Sequence, residues 1–289
     1  MIDEKIIEEI LSKNSELNRE KILNELVLEK QKTSNLINDN TLLRLIGARY
    51  GVKSELKTNF DGKLSISDLI SGLYNISLMG RIVAIFPIKF FQGTRPGKLV
   101  SLIISDMNNL LRVVMWNEKA EYVESNKLKP GQIILFSNGY TREDPKGKVE
   151  LHISQKSKID ILQNNVNLED YPSIRKFSTK IGEITPELQE VHLIGTIKKV
   201  FPASRFSRGD SSEGIVLRFI LFDKTGELPV IVWNEQAESL KPIIKKNAML
   251  MLVNAKVKLT SSNSIELHAN FNTYIDLFYG KKNDGSLSS

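Results

Sequence analysis

The stretch LMGRIVAIFP (Leu78–Pro87) decides the fold, because it returns 115 residues later as LIGTIKKVFP (Leu193–Pro202). Two tripeptides then recur in the same order, WNE (116–118 and 233–235) and ELH (150–152 and 266–268). Ordered matches of this kind indicate an internal duplication. Both copies alternate short apolar runs with Gly, Asn, Pro and Asp, which is typical of β-strands joined by tight turns. The chain is therefore predicted to contain the same β domain twice.

Working outward from the repeat, each copy supplies about five strands. In the first copy they are predicted at 76–86, 98–105, 110–116, 131–138 and 148–154, with a helical stretch from 116 to 127 between the third and fourth strands. Five strands with a helix in that position describe an OB-fold barrel. The fold class is thus mainly β, with two tandem five-stranded OB-fold barrels.

The N-terminal part of the chain has a helical pattern instead. Residues 1–58 contain three segments with apolar residues at helical spacing, which predicts a small N-terminal helical bundle. Its 10 basic and 10 acidic side chains balance, which favours a module that binds a partner or acts as a spacer over one that binds DNA. The predicted domains are the helical domain (1–58), the first OB domain (66–163), a linker (164–180), the second OB domain (181–279) and a disordered tail (280–289).

Composition excludes several kinds of site. The 289 residues include no cysteine, so disulfides, thiol nucleophiles and cysteine-based metal sites are excluded. Three scattered histidines do not suggest a metal site, and no catalytic motif is present, so we expect no metal, no cofactor and no enzymatic activity. The sequence shows no signal peptide or membrane span, and we expect a cytoplasmic, nucleoid-associated protein without membrane contact. A net charge of +6 is compatible with a polyanionic partner.

The tryptophans fall on the same strand register in both copies. Along 111–116 and 228–233, one parity is wholly apolar and predicts the barrel core, so Trp116 and Trp233 fall on the opposite, outward face, with Arg112 beside the first. An outward indole suggests a stacking platform for an unpaired base. The alternative is that each tryptophan packs under the helix that follows it. His152 and His268, which also recur, are interpreted as structural.

The loop between the first two strands combines cations with phenylalanine in both copies. The first copy has Lys89, Phe90, Phe91, Arg95 and Lys98 there, and the second has Arg205, Phe206 and Arg208. Such a loop has the chemistry of a clamp for a single strand, with cations for phosphates and rings for bases. The alternative is a loop folded over the barrel mouth, with phenylalanine as its plug.

The second copy contains RFSRGD (205–210), SEG (212–214), DKTGE (223–227) and VWNE (232–235). This series resembles the OB domains of archaeal and eukaryotic replication protein A, and the first copy is similar through GKL (97–99) and WNE (116–118). The resemblance implies binding of single-stranded DNA in replication, repair and recombination, with bases on aromatic rings and phosphates on first-loop arginines. Carried over by position, it points to Trp116, Trp233, Arg95, Arg205, Phe206, Arg208 and, in the fourth strand, Phe136.

The leading hypothesis is a non-catalytic binder of single-stranded DNA, largely without sequence specificity, that uses two grooves in series. The candidate binding residues are Lys89, Phe90, Phe91, Arg95, Lys98, Arg112, Trp116, Phe136, Arg142, Arg205, Phe206, Arg208, Arg218, Trp233, Lys256 and Lys258. Arg142, Lys256 and Lys258 are placed in the loop between the last two strands. Two alternatives stay open, a binder of single-stranded RNA and a protein-interaction scaffold. Replication or repair proteins are expected to contact the N-terminal helices.

Overall fold

The computed structural model describes residues 4–32, 39–52, 64–92, 96–162, 166–207, 209 and 212–278. The predicted tail, 280–289, lies outside the described residues. Three helices come first: α1 (Glu4–Lys13), α2 (Arg19–Lys32) and α3 (Asp39–Arg49). Their apolar stripes pack on one another around Ile7, Ile10, Ile22, Leu42 and Ile46, all at most 1% exposed, so the bundle has a core of its own.

The first copy folds as a closed barrel. Its strands are β1 (Tyr74–Ile85), β2 (Lys89–Phe91), β3 (Gly97–Ser105), β4 (Leu110–Trp116), β5 (Ile133–Glu143), β6 (Val149–Ile153) and β7 (Lys158–Leu162), with a short helix α4 (Glu121–Glu124) after β4. Five of them close the ring in the order β1-β3-β4-β6-β5-β1, and only β4 and β6 run parallel. The remaining two, β2 and β7, add to β3 and β5.

The second copy repeats this plan. It contains β8 (Glu190–Val200), β9 (Ser204–Ser207), β10 (Glu213–Phe222), β11 (Glu227–Trp233), α5 (Asn234–Leu240), β12 (Met249–Leu259), β13 (Ile265–Ala269) and β14 (Tyr274–Phe278). The ring closes as β8-β10-β11-β13-β12-β8. Two five-stranded barrels with a helix after the third barrel strand confirm the OB-fold prediction. The sequence analysis did not predict the additional strands β2, β7, β9 and β14.

Strand parity was predicted correctly on β4 and β11. Leu111, Val113 and Met115 are at most 4% exposed and belong to the core of the first barrel, and Leu228, Val230 and Val232 belong to that of the second. The tryptophans at the ends of these strands are in neither core cluster. Because the apolar residues of each strand are buried in the core, the residues between them must lie on the outer face.

The two barrels share an apolar contact. Val83, Phe86 and Ile103 on the outside of the first barrel form one buried cluster with Met251 and Val253 of β12. Ile174, from the segment predicted as a linker, belongs to the same cluster. Hydrogen bonds also anchor that segment to the first barrel; for example, Ser105 Oγ donates to the Pro172 carbonyl at 2.7 Å and Arg81 Nη1 to the Tyr171 carbonyl at 3.3 Å. The barrels are thus packed against each other through this segment.

His192 on β8 makes the stability of the second barrel sensitive to acid. Its Nδ1 accepts the backbone N–H of Asn254 at 3.2 Å, and burial lowers the pKa of His192 to about 4. An unfolded histidine titrates near 6.5, so between these values the unfolded chain binds the extra proton and stability falls as the pH is lowered. From pH 7.5 to pH 5 the loss should be about 2 kcal/mol, with one pKa unit equal to about 1.4 kcal/mol.

Urea unfolding at the two pH values measures this loss. The control is His192→Asn, which retains an acceptor for the Asn254 N–H but does not titrate. The variant should lose about 2 kcal/mol less than the unmodified chain between pH 7.5 and pH 5. Equal losses in the two proteins would show that His192 is not the responsible group.

Candidate nucleic-acid interface

Each tryptophan lies half-buried on the outer face of its barrel, with its polar edge bound to a histidine. Trp116 Nε1 donates to His152 Nδ1 at 3.0 Å, and Trp233 Nε1 donates to His268 Nδ1 at 3.1 Å. Trp116 and His152 lie side by side, with ring planes 19° apart. The histidines come from β6 and β13, which pair with the tryptophan strands. The first pair of rings is thus nearly coplanar, whereas the rings of Trp233 and His268 are tilted by 38°.

A phenylalanine from the first loop stands against each indole. Phe91 and Phe206 meet the tryptophans edge-on, at centroid distances of 6.1 and 5.7 Å. They pair across strands with Gly97 and Gly214, where an added Cβ would lie 2.5 and 2.3 Å from the phenylalanine ring. Glycine is thus required for the ring to lie flat on the facing strand. The plug alternative is wrong, because these rings lie outside the barrel cores.

In the first barrel the aromatic surface continues beyond the histidine. The ring centroids of His152 and Tyr140 (β5) are 5.2 Å apart. Tyr140 in turn stacks on Tyr74 (β1), with centroids 6.2 Å apart and ring planes at 15°. Phe91, Trp116, His152, Tyr140 and Tyr74 thus form a row of five rings across the sheet, which we call the aromatic row. Neither tyrosine was predicted from the sequence as a binding residue. Tyr140 could have been found, because it lies two residues before the predicted Arg142 and alternate residues of a strand share a face.

Phe136 does not belong to this surface, and its prediction as a stacking residue is wrong. The side chain is 0% exposed and lies in the core of the first barrel. Uninterrupted alternation would put Phe136 on the same face as Tyr140 and Arg142, but β5 bulges between them. Asn138 adopts φ 57°, and the pairing with β1 slips at this point, which moves the later residues to the other face. Leu252 and Asn254 (φ 61°) repeat the arrangement in β12.

The same strands correct the placement of three cations. Arg142, Lys256 and Lys258 were expected in the loop between the last two strands, but they lie on β5 and β12. Arg142 pairs with Glu150 across strands, Lys256 with His268 and Lys258 with Glu266. Because β5 and β12 extend past their bulges, these side chains flank the histidine on the outer face. Lys256 stands where the first barrel has Tyr140.

Several of the predicted cations are already ion-paired. Arg112 Nη1 is 2.5 Å from Glu150 Oε1, and the guanidinium also donates to Ser101 Oγ. Lys98 pairs with Glu124 at 2.5 Å, and this hydrogen bond raises the pKa of Lys98. Arg205 pairs with Glu213 at 2.9 Å and with Glu238 at 3.3 Å. The Lys98 and Arg205 pairs are at least partly exposed and contribute little to stability, so a phosphate can replace their carboxylates at small cost. The Arg112 pair differs, because the Glu150 side chain is only 8% exposed.

The remaining predicted residues fall into three groups. Arg218 is exposed on β10. It lies two residues after Val216, which pairs with Trp233, so its side chain points to the same outer face as the tryptophan. Phe90 is 73% exposed beside the aromatic row. Arg95 and Arg208 lie outside the described residues.

Lys89 connects the first loop of one barrel to the other barrel. Its Nζ donates to Asn272 Oδ1 at 3.0 Å and lies 4.2 Å from the centroid of the Phe271 ring. Burial, and then the charge of Arg112, lower the pKa of Lys89. Phe271 is 45% exposed, so a further ring stands at the junction of the two barrels.

In the parts of the chain that the structure describes, no helix is long and apolar enough to cross a lipid bilayer. The same residues contain no group of three or more histidine, aspartate or glutamate side chains that could hold a metal ion.

Comparison with known proteins agrees with this architecture. The family model of the OB-fold nucleic acid binding domain matches residues 76–159. Replication factor A of Methanothermobacter thermautotrophicus is 27% identical over 226 residues; the match covers 77% of this chain but only 27% of the relative's length.

Two solved structures extend the comparison. A replication protein A heterotrimer bound to ssDNA superposes with a TM-score of 0.56 at 14% identity, over 75% of this chain and 52% of that one. The second OB-fold domain of replication protein A from Methanococcus maripaludis has a TM-score of 0.30 at 24% identity, over 37% of this chain and 99% of that one. The chain is a tandem OB-fold protein that resembles replication protein A.

Proposed function

We propose that this chain binds single-stranded DNA, largely without sequence specificity, and acts in replication, repair and recombination. The observation that carries the proposal is the aromatic row on the first barrel, together with the matching Phe206–Trp233 pair on the second. Every base has a π-face, but a duplex hides it within the stack. The accessible rings of this surface, of which Tyr74 and Phe91 are the most exposed, therefore select unpaired strands and tolerate any base.

The cations around these rings supply the contacts to phosphate. Arg112 and Arg142 flank the aromatic row, and Arg218, Lys256 and Lys258 flank the second tryptophan. The barrels also differ, since Lys256 and Arg218 stand at positions that Tyr140 and Ser101 occupy in the first barrel. We infer that the first barrel contributes more base stacking and the second more phosphate contact.

Titration with oligonucleotides tests the function. Labelled oligo-dT of graded length should bind, and a duplex of the same length should bind at least tenfold more weakly. The described residues of the site do not reveal a contact specific for the 2′-hydroxyl of RNA, so an RNA oligomer of matched sequence is needed to test the RNA-binding alternative. Absence of binding to all three oligonucleotides would favour the scaffold alternative and would refute the proposal.

The salt dependence of oligo-dT binding should report the phosphate contacts. For single strands the slope of log K against log salt is about −0.7 per phosphate neutralised, so about six contacts predict a slope near −4. Lys256→Gln with Lys258→Gln should reduce the slope by about 1.4. The control is Lys224→Gln, an exposed lysine on the turn between β10 and β11, which should leave the slope unchanged. Equal slopes in the double variant and the unmodified chain would show that neither lysine contacts phosphate.

The proposal assigns protein contacts to the N-terminal bundle. This unit has a core separate from those of the barrels, and α2 exposes the adjacent apolar side chains of Val27 and Leu28 (53% and 56%). We propose that replication or repair proteins bind the bundle while the barrels hold DNA, which places the protein with the nucleoid.

A further inference from the structure

The tryptophan–histidine contact is part of a longer chain of hydrogen bonds. In the second barrel Trp233 Nε1 is 3.1 Å from His268 Nδ1, and His268 Nε2 is 2.6 Å from Glu266 Oε1. The indole N–H can only donate, so Nδ1 must be the unprotonated nitrogen. The ring proton then sits on Nε2, where the Glu266 carboxylate accepts it. The carboxylate thereby fixes the tautomer that the indole requires.

The first barrel repeats the hydrogen bond between tryptophan and histidine. Trp116 Nε1 is 3.0 Å from His152 Nδ1, and His152 Nε2 lies 3.3 Å from Glu150 Oε2, without the direction of a hydrogen bond. Glu150 is held in turn by Arg112. The tryptophan and the histidine are 36 residues apart in one copy and 35 in the other, and each glutamate stands two residues before its histidine. Both copies thus keep the hydrogen bond between tryptophan and histidine, whereas only in the second does the glutamate also bond to the histidine.

We propose that His152 and His268 are positioning residues that hold the tryptophans in the orientation in which a base stacks on them. This inference rests on the proposed function. A half-buried aromatic side chain on a strand face has several rotamers, and a ligand that stacks on it must otherwise select one on binding. The hydrogen bond to histidine fixes the rotamer on folding.

A double-mutant cycle in the second barrel separates this role from packing. His268 is chosen because its side chain is 22% exposed, against 7% for His152, so its replacement disturbs the fold less. Three variants of the full chain are compared: His268→Leu, Trp233→Phe and the two together. The dissociation constant for labelled oligo-dT is measured by fluorescence anisotropy.

His268→Leu is expected to weaken binding about threefold to fivefold in the unmodified background, in the range of one hydrogen bond. In the Trp233→Phe background it should have no further effect, because phenylalanine has no N–H for the histidine to hold. His268→Asn should restore affinity to within twofold, since its side-chain oxygen takes the place of Nδ1. If His268→Leu costs the same factor in both backgrounds, the histidine acts by packing and the proposal is wrong.

A measurement without DNA keeps the inference independent of the proposed function. In the ¹H–¹⁵N spectrum, the indole N–H of Trp233 should exchange with solvent at least tenfold more slowly than that of free tryptophan. His268→Leu should accelerate the exchange of Trp233 and leave Trp116 unchanged. An unprotected Trp233 signal in the unmodified chain would overturn the inference whatever the variants do. Failure of oligo-dT to bind, with Trp233 protected, would overturn the proposed function alone.

Discussion

Replacing both indoles, with Trp116→Ala and Trp233→Ala in one chain, should weaken oligo-dT binding by about 100-fold. Base stacking on an aromatic side chain contributes about 1–3 kcal/mol per base, and the two sites act on one strand. Neither side chain belongs to a barrel core, so the barrels should remain folded. The measurement is fluorescence anisotropy of labelled oligo-dT, because the variant has no tryptophan left as a probe.

The matched control retains a ring at each position. Trp116→Phe with Trp233→Phe preserves a stacking surface but loses both bonds to histidine, so its affinity should fall between those of the unmodified and alanine chains. Circular dichroism must show the same β-sheet content in all three proteins. An alanine double variant that binds oligo-dT within threefold of the unmodified chain, while folded, would refute the role of the indoles.

The sequence was sufficient for the architecture because the signals that carry it are local and periodic. The repeat beginning at Leu78 and Leu193 predicted two equal domains, and alternation along β4 and β11 predicted which residues enter the cores. The outward position of both tryptophans followed from the same parity. The first-loop phenylalanines were also assigned to the outer surface as one of two alternatives, and the facing glycines show the steric reason.

The predictions failed where one residue changes the phase of a strand. Asn138 and Asn254 take a left-handed conformation, and each bulge shifts the residues that follow it to the opposite face. Asparagine tolerates this conformation better than most residues, but its presence in a strand does not reveal the bulge. Ion pairs such as Arg205–Glu213 also escaped prediction, because they depend on which strands become neighbours.

The hydrogen bonds between the histidines and the tryptophans were not predicted, for a related reason. The ELH repeat was visible, and both histidines were interpreted as structural because most histidines late in a strand are structural. The parallel pairing of β4 with β6 and of β11 with β13 brings them beside the tryptophans, and no local pattern encodes that pairing. A pair of residues that recurs together in both copies is the signal that could have joined them.

Phe136→Ala should lower the free energy of unfolding of the first barrel by about 3–5 kcal/mol, the usual cost of removing a buried phenylalanine. Phe136 is among the largest fully buried side chains, so its loss leaves a cavity between the walls of the barrel. Urea unfolding measures the change, with Trp116 fluorescence as the probe in a Trp233→Phe background. Phe136→Leu keeps most of the core volume and should cost about 1–1.5 kcal/mol.

The leucine variant also decides between a core role and base stacking for this residue. A leucine fills the barrel but offers no ring, so a residue that stacked on DNA would lose about 1–3 kcal/mol of binding free energy, which is at least fivefold in affinity. A core residue would leave the affinity within twofold, because the outer face is intact. The bulge at Asn138 places Phe136 inside, and we therefore expect unchanged binding. A fivefold loss of oligo-dT affinity in folded Phe136→Leu would show that the strand presents this ring to the ligand.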